Sequence, residues 1–129
     1  MIDPATTVLV VDDDREVREI AIAVLEAEGC QVFEAATGDE ALRLLTSHPG
    51  LRIDVLFTDI VMPGQIDGVE LADAARLLRP DLPVLFATGF ANLVRQHRNP
   101  ESRGPVLQKP YRPSELRRAL LDLVDDPVD

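Results

Sequence analysis

Short apolar runs alternate with helix-like stretches along almost the whole chain, and this alternation restricts the fold more than any other feature. The runs are rich in Val, Leu and Phe, and most are bounded by Gly, Pro or Asp. Because strands that alternate with helices form parallel sheets through right-handed crossovers, the sequence predicts an α/β fold with helices on both faces of the sheet. The five predicted strands are residues 6–11, 31–35, 53–59, 83–88 and 104–109.

Capping residues mark where the predicted helices begin. Asp14 is a candidate N-cap for the first helix, and Thr37 with Glu40 matches the Ser/Thr-x-x-Glu capping box of the second. Asp67 is an acidic N-cap for the third helix, and Pro113 stands at the first position of the last one. These signals fix four helix starts in the predicted alternation.

Apolar side chains repeat at the period of an amphipathic helix after each of these caps, so one face of each helix is predicted to point inward. Gly29 ends the first helix, which is predicted over residues 15–28, and Pro80 ends the third. The inward residues are Val17, Ile20, Ala21, Val24 and Leu25 in the first helix; Ala41, Leu44 and Leu45 in the second; Leu71, Ala74, Ala75 and Leu78 in the third; and Leu116, Ala119, Leu120, Leu123 and Val124 in the last.

The connection between the fourth and fifth strands departs from this regular pattern. Only residues 91–97 can form a helix there, because residues 99–104 consist of turn-forming and loop-forming types. The sequence therefore predicts a fourth helix that is short or partly disordered.

Composition limits the classes of function that such a fold can serve. The 129 residues form one predicted domain, 1–129 with a core of about 6–125, and the net charge of −10 argues against direct binding to nucleic acid or to an anionic membrane. The single cysteine, Cys30, suits a reducing compartment. No apolar run approaches the ~20 residues of a membrane span, and no signal peptide is recognisable. We therefore expect a cytoplasmic protein.

Chemically useful side chains follow the predicted strands at their carboxyl ends, which meet at one edge of a parallel sheet. They are Asp12, Asp13, Asp59, Thr88 and Lys109. Three neighbouring carboxylates repel one another, and a hard divalent cation such as Mg²⁺ would relieve that repulsion. The lysine and threonine can contact phosphoryl oxygens, so Asp59 is a candidate nucleophile for a phosphoryl group.

These residues come in an order that resembles the receiver domain of response regulators, the proteins of two-component and phosphorelay signalling. The resemblance covers essentially the whole chain and implies a doubly wound, flavodoxin-like (βα)5 fold with strand order 2-1-3-4-5. The matching segments are Val10-Val11-Asp12-Asp13, Asp59 followed by Met62-Pro63, Asp67-Gly68, Thr88-Gly89 and Lys109-Pro110.

The resemblance also implies roles for individual residues. Asp59 would accept a phosphoryl group from a histidine kinase or a histidine phosphotransfer protein in a Mg²⁺-dependent reaction, with Mn²⁺ as a substitute metal. Asp13, Asp59 and the carbonyl of Val61 would bind the metal directly, and Asp12 would bind it through water. The phosphoryl oxygens would be contacted by three further groups: the side chains of Lys109 and Thr88 and the backbone amide of Gly89.

A downstream protein, or an output or kinase domain outside these residues, would then receive the signal. In this family the Lys-Pro bond is usually cis, which is physically allowed for Lys109-Pro110. The residues two beyond the acceptor and two beyond the threonine influence entry of the hydrolytic water. Here they are the apolar Val61 and Phe90, so we expect slow autodephosphorylation.

Three departures from the family pattern concern how the signal leaves the site. The loop over residues 62–68 is one residue longer than the commonest form, Val106 stands where many receivers place a switching Tyr or Phe, and the fourth helix is depleted. Output is therefore expected through the first helix, through the loop after Asp59, or through a disorder-to-order change near residues 92–104.

Three other functions are compatible with parts of this sequence. A haloacid-dehalogenase-like phosphatase also has a strand-end Asp and a second Asp two residues on, as in Asp12 and Asp14, but Glu16 stands where its motif has Thr or Val. A flavodoxin-like cofactor binder would need a phosphate-binding loop after the first strand, which is absent. A receiver-like docking module that is never phosphorylated would share every motif, and only chemistry separates it from the main hypothesis.

Overall fold

A five-stranded parallel sheet with strand order β2-β1-β3-β4-β5 forms the centre of the protein. The structure is a computed structural model, and it describes residues 6–62, 64, 66–89 and 100–124. The predicted fold class and strand order are confirmed, although four of the five strands are shorter than predicted. The strands are β1 Thr7–Val11, β2 Gln31–Ala35, β3 Val55–Asp59, β4 Val84–Thr88 and β5 Val106–Gln108.

Helices cover both faces of this sheet. The described helices are α1 Arg15–Ala27, α2 Gly38–Ser47, α3 Gly68–Leu78 and α4 Pro113–Val124, with a short 3-10 helix at Pro100–Ser102. The short helix predicted over residues 91–97 lies outside the described residues. Within the described part of the chain, no helix combines the length and the apolar character that crossing a bilayer requires.

Capping hydrogen bonds account for three of the helix starts. The Asp14 carboxylate accepts from the amides of the first turn of α1, as predicted. At α2, Thr37 accepts from the Glu40 amide, but the Glu40 carboxylate bonds to the amide of Ala36 rather than to that of Thr37, so the predicted box is only half formed. The reciprocal box is complete at α3, between Asp67 and Glu70.

The core consists of two layers, one on each face of the sheet. Alternate residues of β1 divide between them: Leu9 and Val11 pack under α2 and α3, whereas Val8 and Val10 pack under α1 and α4. Every residue of β1, β3 and β4 is buried, as expected for parallel strands that are covered on both sides. The three central strands are therefore rigid supports for the residues at their ends.

Two residues predicted to point inward are exposed instead. Ile20 is 59% exposed because the neighbouring helix positions, Ala21 and Leu25, take the fully buried places against the sheet. Leu78 is 48% exposed because α3 ends there. The following residue, Arg79, turns the chain away and donates hydrogen bonds to the carbonyl oxygens of His48 and Leu51.

Candidate functional site

The sheet brings the carboxyl ends of β1, β3, β4 and β5 to one edge, where the predicted site residues lie. Val11 pairs with Thr58, so Asp12 and Asp59 follow at the same level of two adjacent strands. Thr88 pairs with Gln108, which places Lys109 directly beyond the end of β4. The site is thus assembled by strand register.

Asp12, Asp13 and Asp59 form a cluster in which one carboxylate oxygen of each lies within 4.8 Å of the others. Asp12 and Asp59 are buried, at 6% and 8% exposure, whereas Asp13 is exposed. The Asp12 carboxylate accepts from the amide of Asp14 at 2.9 Å, and its backbone carbonyl accepts from the Arg18 guanidinium at 2.7 Å. Asp12 is therefore the most firmly held member of the cluster.

Lys109 joins the two buried carboxylates. Its Nζ lies 2.8 Å from Oδ2 of Asp12 and 3.2 Å from Oδ2 of Asp59. Burial alone would lower the pKa of the Lys109 ammonium, but its bonds and attraction to Asp12 and Asp59 outweigh that effect, and the pKa is raised. Lys109 is therefore a fixed positive charge across the whole physiological pH range.

The carboxyl group of Asp59 has an unusually high pKa. Burial is the largest cause, the attraction of Lys109 opposes it, and repulsion from Asp12 and Asp13 adds to it, so that the pKa rises from its ordinary 3.8 to about 6. The single ammonium does not compensate the charge of the cluster. An ionised Asp59 is consequently a high-energy group in the metal-free protein.

The donor set fits a hard divalent cation. Three carboxylates face one ammonium, so two negative charges stay uncompensated in the described site. All the candidate ligands are oxygens, and one of the carboxylates is open to solvent, which leaves room for bound water. A Mg²⁺ ion prefers oxygen ligands, keeps bound water and would supply the two positive charges that the site lacks.

Gly68 allows α3 to begin directly against the backbone of Asp59. A Cβ on residue 68 would lie 2.1 Å from the carbonyl oxygen of Asp59, a distance that no side chain tolerates. The Gly68 amide also donates to the carbonyl of Ile60 at 2.8 Å, which closes the loop between these two residues. Within that loop the Ile66 amide donates to the Asp39 carboxylate of α2 at 3.3 Å. The loop is thus fixed to both neighbouring helices.

Thr88, Gly89 and Val61 follow or end β4 and β3 at the same edge of the sheet. Thr88 is fully buried, and its carbonyl accepts from the Lys109 amide at 2.9 Å. Gly89 is exposed, the side chain of Val61 is 48% exposed, and Phe90 lies outside the described residues. The cis form of the Lys109-Pro110 bond is confirmed. The roles of Thr88, Gly89 and Val61 stay predictions.

A family model decides what kind of protein carries this site. The model of the response regulator receiver domain matches residues 8–121. The chain belongs to the response regulator receiver domain family. Its function is that of a phosphoacceptor receiver domain in two-component signalling, in which receiver domains relay signals from histidine kinases.

Individual relatives of this receiver domain include stand-alone and fused proteins. The response regulator receiver protein CpdR of Brucella abortus (strain 2308) is 37% identical over 113 residues, which cover 84% of this chain and 88% of that protein. The sensor kinase CckA of the same strain is 30% identical over 122 residues, 94% of this chain but 13% of the kinase. Response regulator TrrA from Thermotoga maritima, solved in complex with Mg²⁺-BeF, has a TM-score of 0.80 and 29% identity, over 92% of this chain and 98% of that chain.

Sequence reasoning missed two residues beside the receiver site. Arg18 of α1 donates to the backbone of Asp12 and to the carboxylate of Glu34, and so ties α1 to β1 and β2. Tyr111 packs against Phe57, and its pKa is raised to about 12, mainly by burial and further by the charges of Asp12 and Asp59. The position of Tyr111, two residues after Lys109, was the sequence feature that could have identified it as part of the site.

Proposed function

We propose that Asp59 is the phosphoacceptor of this receiver domain, which takes a phosphoryl group from the phosphohistidine of a histidine kinase or a histidine phosphotransfer protein. The observation that carries the proposal is the position of Asp59, buried at the end of β3 with its carboxylate 3.2 Å from the Lys109 ammonium. Asp59 also has a pKa that burial, the largest cause, raises to about 6.

The chemistry follows from where the charges lie. An oxygen of the Asp59 carboxylate attacks phosphorus, the phosphorus–nitrogen bond of the donor breaks, and the electron pair of that bond leaves with the imidazole. Lys109 faces Asp59 and would attract the oxygens of the incoming group. Thr88 and the Gly89 amide, at the end of the neighbouring strand, are proposed to donate hydrogen bonds to those oxygens. A bound Mg²⁺ would supply further positive charge for the phosphoryl oxygens.

Asp13, Asp59 and the carbonyl of Val61 are the proposed direct metal ligands, with Asp12 acting through water. This division suits the geometry, because Oδ2 of Asp12 already contacts Lys109 at 2.8 Å and Oδ1 accepts from Asp14. Mn²⁺ has the same preference for oxygen ligands and is proposed to substitute. The exposed apolar side chain of Val61 would neither orient nor admit the hydrolytic water, which supports slow autodephosphorylation.

We further propose that residues 1–129 act as one receiver domain in the cytoplasm, without direct contact with nucleic acid or membrane. The excess of acidic residues, with a net charge of −10, supports this part of the proposal. The signal would pass to a downstream protein or to an output or kinase domain outside these residues. The relatives include both arrangements, because the chain spans 88% of CpdR but 13% of CckA.

A labelling experiment with a small phosphodonor tests the proposal without a cognate kinase. The purified chain is incubated with phosphoramidate and Mg²⁺ and analysed by intact-mass spectrometry and by phosphate-affinity electrophoresis. We expect one phosphoryl group per chain, its removal by hydroxylamine, and no label with EDTA or in Asp59→Asn. Label that persists in Asp59→Asn would reassign the acceptor. No label from phosphoramidate or from any histidine kinase would favour the unphosphorylated docking module.

A further inference from the structure

Lys109 projects from a part of the sheet that is weakly held. It follows β5, which has only three residues, lies at the edge of the sheet and pairs on one side with β4. No residue of β5 is fully buried, in contrast to β1, β3 and β4. The ammonium of Lys109 must nevertheless stay within hydrogen-bond distance of two carboxylates. Something beyond strand pairing has to fix this segment.

Tyr111 supplies a second anchor on the far side of Lys109. Its ring meets that of Phe57 edge to face, with ring centroids 5.9 Å apart and an interplanar angle of 61°. Phe57 is 4% exposed and belongs to β3, two residues before Asp59. The backbone of Lys109 is therefore held by the carbonyl of Thr88 on one side and by an aromatic pair on the other.

The aromatic pair directly links β3 to the segment that follows β5. Phe57 stands on the strand that carries Asp59, and Tyr111 on the segment that carries Lys109, so the ring contact restrains the backbone of that segment relative to β3. Tyr111 also packs in the same cluster as Leu116 and Leu120 of α4. By contrast, Val106, where many receivers have their aromatic, packs against the opposite layer under α2 and α3.

We propose that Tyr111 is a positioning residue for Lys109 in phosphoryl transfer to Asp59, an inference that rests on the function proposed above. The ring carries this role through its contact with Phe57. The hydroxyl is a reporter of the site, because it lies within the electrostatic field of Asp12 and Asp59 and its pKa of about 12 keeps it protonated at neutral pH. Binding of a cation or a phosphoryl group to these acids changes the field at the hydroxyl.

The chain is well suited to a test, because Tyr111 is its only tyrosine, it has no tryptophan, and Lys109 is its only lysine. Labelling rates with phosphoramidate and Mg²⁺ are compared for wild type, Tyr111→Leu and Tyr111→Phe, with Val106→Ala as the matched control. We expect Tyr111→Leu to slow labelling about tenfold, since small misplacement of a positioned group is costly. Tyr111→Phe, which keeps the ring, restores most of the rate, and Val106→Ala labels like the wild type.

Two readouts separate positioning from a general loss of structure. The dissociation constant for Mg²⁺ should not rise in Tyr111→Leu, because the three carboxylates are untouched and a misplaced Lys109 would compete less for them. In wild type, tyrosine emission should change when Mg²⁺ and beryllofluoride are added, and Asp59→Asn should lose the part of the response that depends on beryllofluoride. Tyr111→Phe keeps the ring that contacts Phe57, so its labelling rate tests the proposal even if Tyr111→Leu fails to fold.

Distinct outcomes overturn the two proposals. A Tyr111→Leu protein that folds and labels at the wild-type rate, or a Tyr111→Phe protein that labels about tenfold more slowly than wild type, overturns the role of the Tyr111 ring and leaves Asp59 as acceptor. A wild-type protein that takes no label overturns the proposed function itself.

Discussion

Asp54 and Asp59 stand at opposite ends of the same strand, and their carboxylates meet opposite surroundings. Asp54 lies just before β3, where Oδ2 accepts from the Thr7 amide at 2.8 Å and Oδ1 pairs with Arg52 at 2.9 Å. Asp59 ends the strand, where Lys109, its one cationic neighbour among the residues that the structure describes, also contacts Asp12. The Asp54 carboxylate pairs with Arg52 and accepts from a backbone amide, whereas the Asp59 carboxylate shares Lys109 with Asp12.

This difference separates a structural aspartate from a reactive one. Asp54 joins the start of β1 to the start of β3, because its amide also donates to the carbonyl of Thr7 at 2.8 Å. Its charge is satisfied, so it has no reason to attract a new ligand. Asp59 is kept at high energy by burial and by two further acids, and a bound metal ion would relieve that energy. The reactivity of Asp59 therefore follows from the incomplete compensation of its negative charge.

The largest effect is expected when the shared cation is removed. Lys109→Met should slow labelling by phosphoramidate at least about a hundredfold, because the group that faces the incoming phosphoryl oxygens is lost. Mg²⁺ should bind as tightly as in wild type or more tightly, because the carboxylates lose their competing cation. Calorimetric titration with Mg²⁺ and timed labelling measure the two quantities. Labelling within a factor of about three of wild type would contradict the role of Lys109.

The identity of this cation was predictable from sequence, because strand ends in a parallel sheet share an edge. The order of Asp12, Asp13, Asp59 and Lys109 along the chain was therefore enough to place them together. The fold class was likewise predictable, because strand-like apolar runs alternate with stretches of helical periodicity. Neither argument needs knowledge of side-chain conformations.

Tertiary detail was beyond such reasoning. The period of 3.6 residues gives the direction of a helix face but not its width, so Ile20 at the rim of α1 was wrongly placed inside. The anchor at Tyr111 depends on a contact between segments that are distant in sequence. The satisfied state of Asp54 depends on the pairing register of β1 with β3, which the sequence pattern leaves open.

The energy stored at Asp59 should appear as a stability gain when its charge is removed. In EDTA at pH 7, Asp59→Asn should unfold with a free energy higher by on the order of 2–3 kcal/mol, since a tenfold change in proton affinity corresponds to about 1.4 kcal/mol. Urea denaturation of both proteins measures the difference. Saturating Mg²⁺ should shrink it, because a bound cation stabilises the ionised wild type.

The pH dependence of that gain has a definite sign. The pKa of Asp59 is about 6 in the folded protein and 3.8 in an ordinary carboxyl group. Between these values the folded protein holds a proton that the unfolded chain has released, so this group contributes less stability as pH rises through the window. The advantage of Asp59→Asn should therefore vanish below about pH 4 and be complete above about pH 7. An advantage that is constant with pH would contradict the assignment.

A smaller effect of opposite sign is expected at the other end of the strand. Asp54→Ala should lower the free energy of unfolding by about 2 kcal/mol, because the amide of Thr7 loses its acceptor. Labelling with phosphoramidate should stay within about twofold of wild type, because the reacting groups lie at the far end of β3. Loss of label in a folded Asp54→Ala protein would break the contrast between the two aspartates.

The smallest effect is expected at the partner of Asp54. Arg52 has a side chain that is 70% exposed, so its ion pair is screened by solvent. Arg52→Ala should change the free energy of unfolding by less than about 0.5 kcal/mol. Measured beside Asp54→Ala, this variant shows how much of the effect there comes from the ion pair and how much from the hydrogen bond to Thr7. Equal losses in both variants would assign the effect to the ion pair.

The hydrogen bond from the Gly68 amide to the carbonyl of Ile60 makes the loop between them a closed ring with fixed ends. Chain length inside such a ring can change at little thermodynamic cost, because each doubling of loop length adds only about 0.6 kcal/mol of closure entropy. An additional residue in this loop would therefore be absorbed without displacing Asp59 or α3. The exposed Gly64 is accordingly a natural point for inserting a peptide tag or a fluorescent reporter within a few residues of the acceptor.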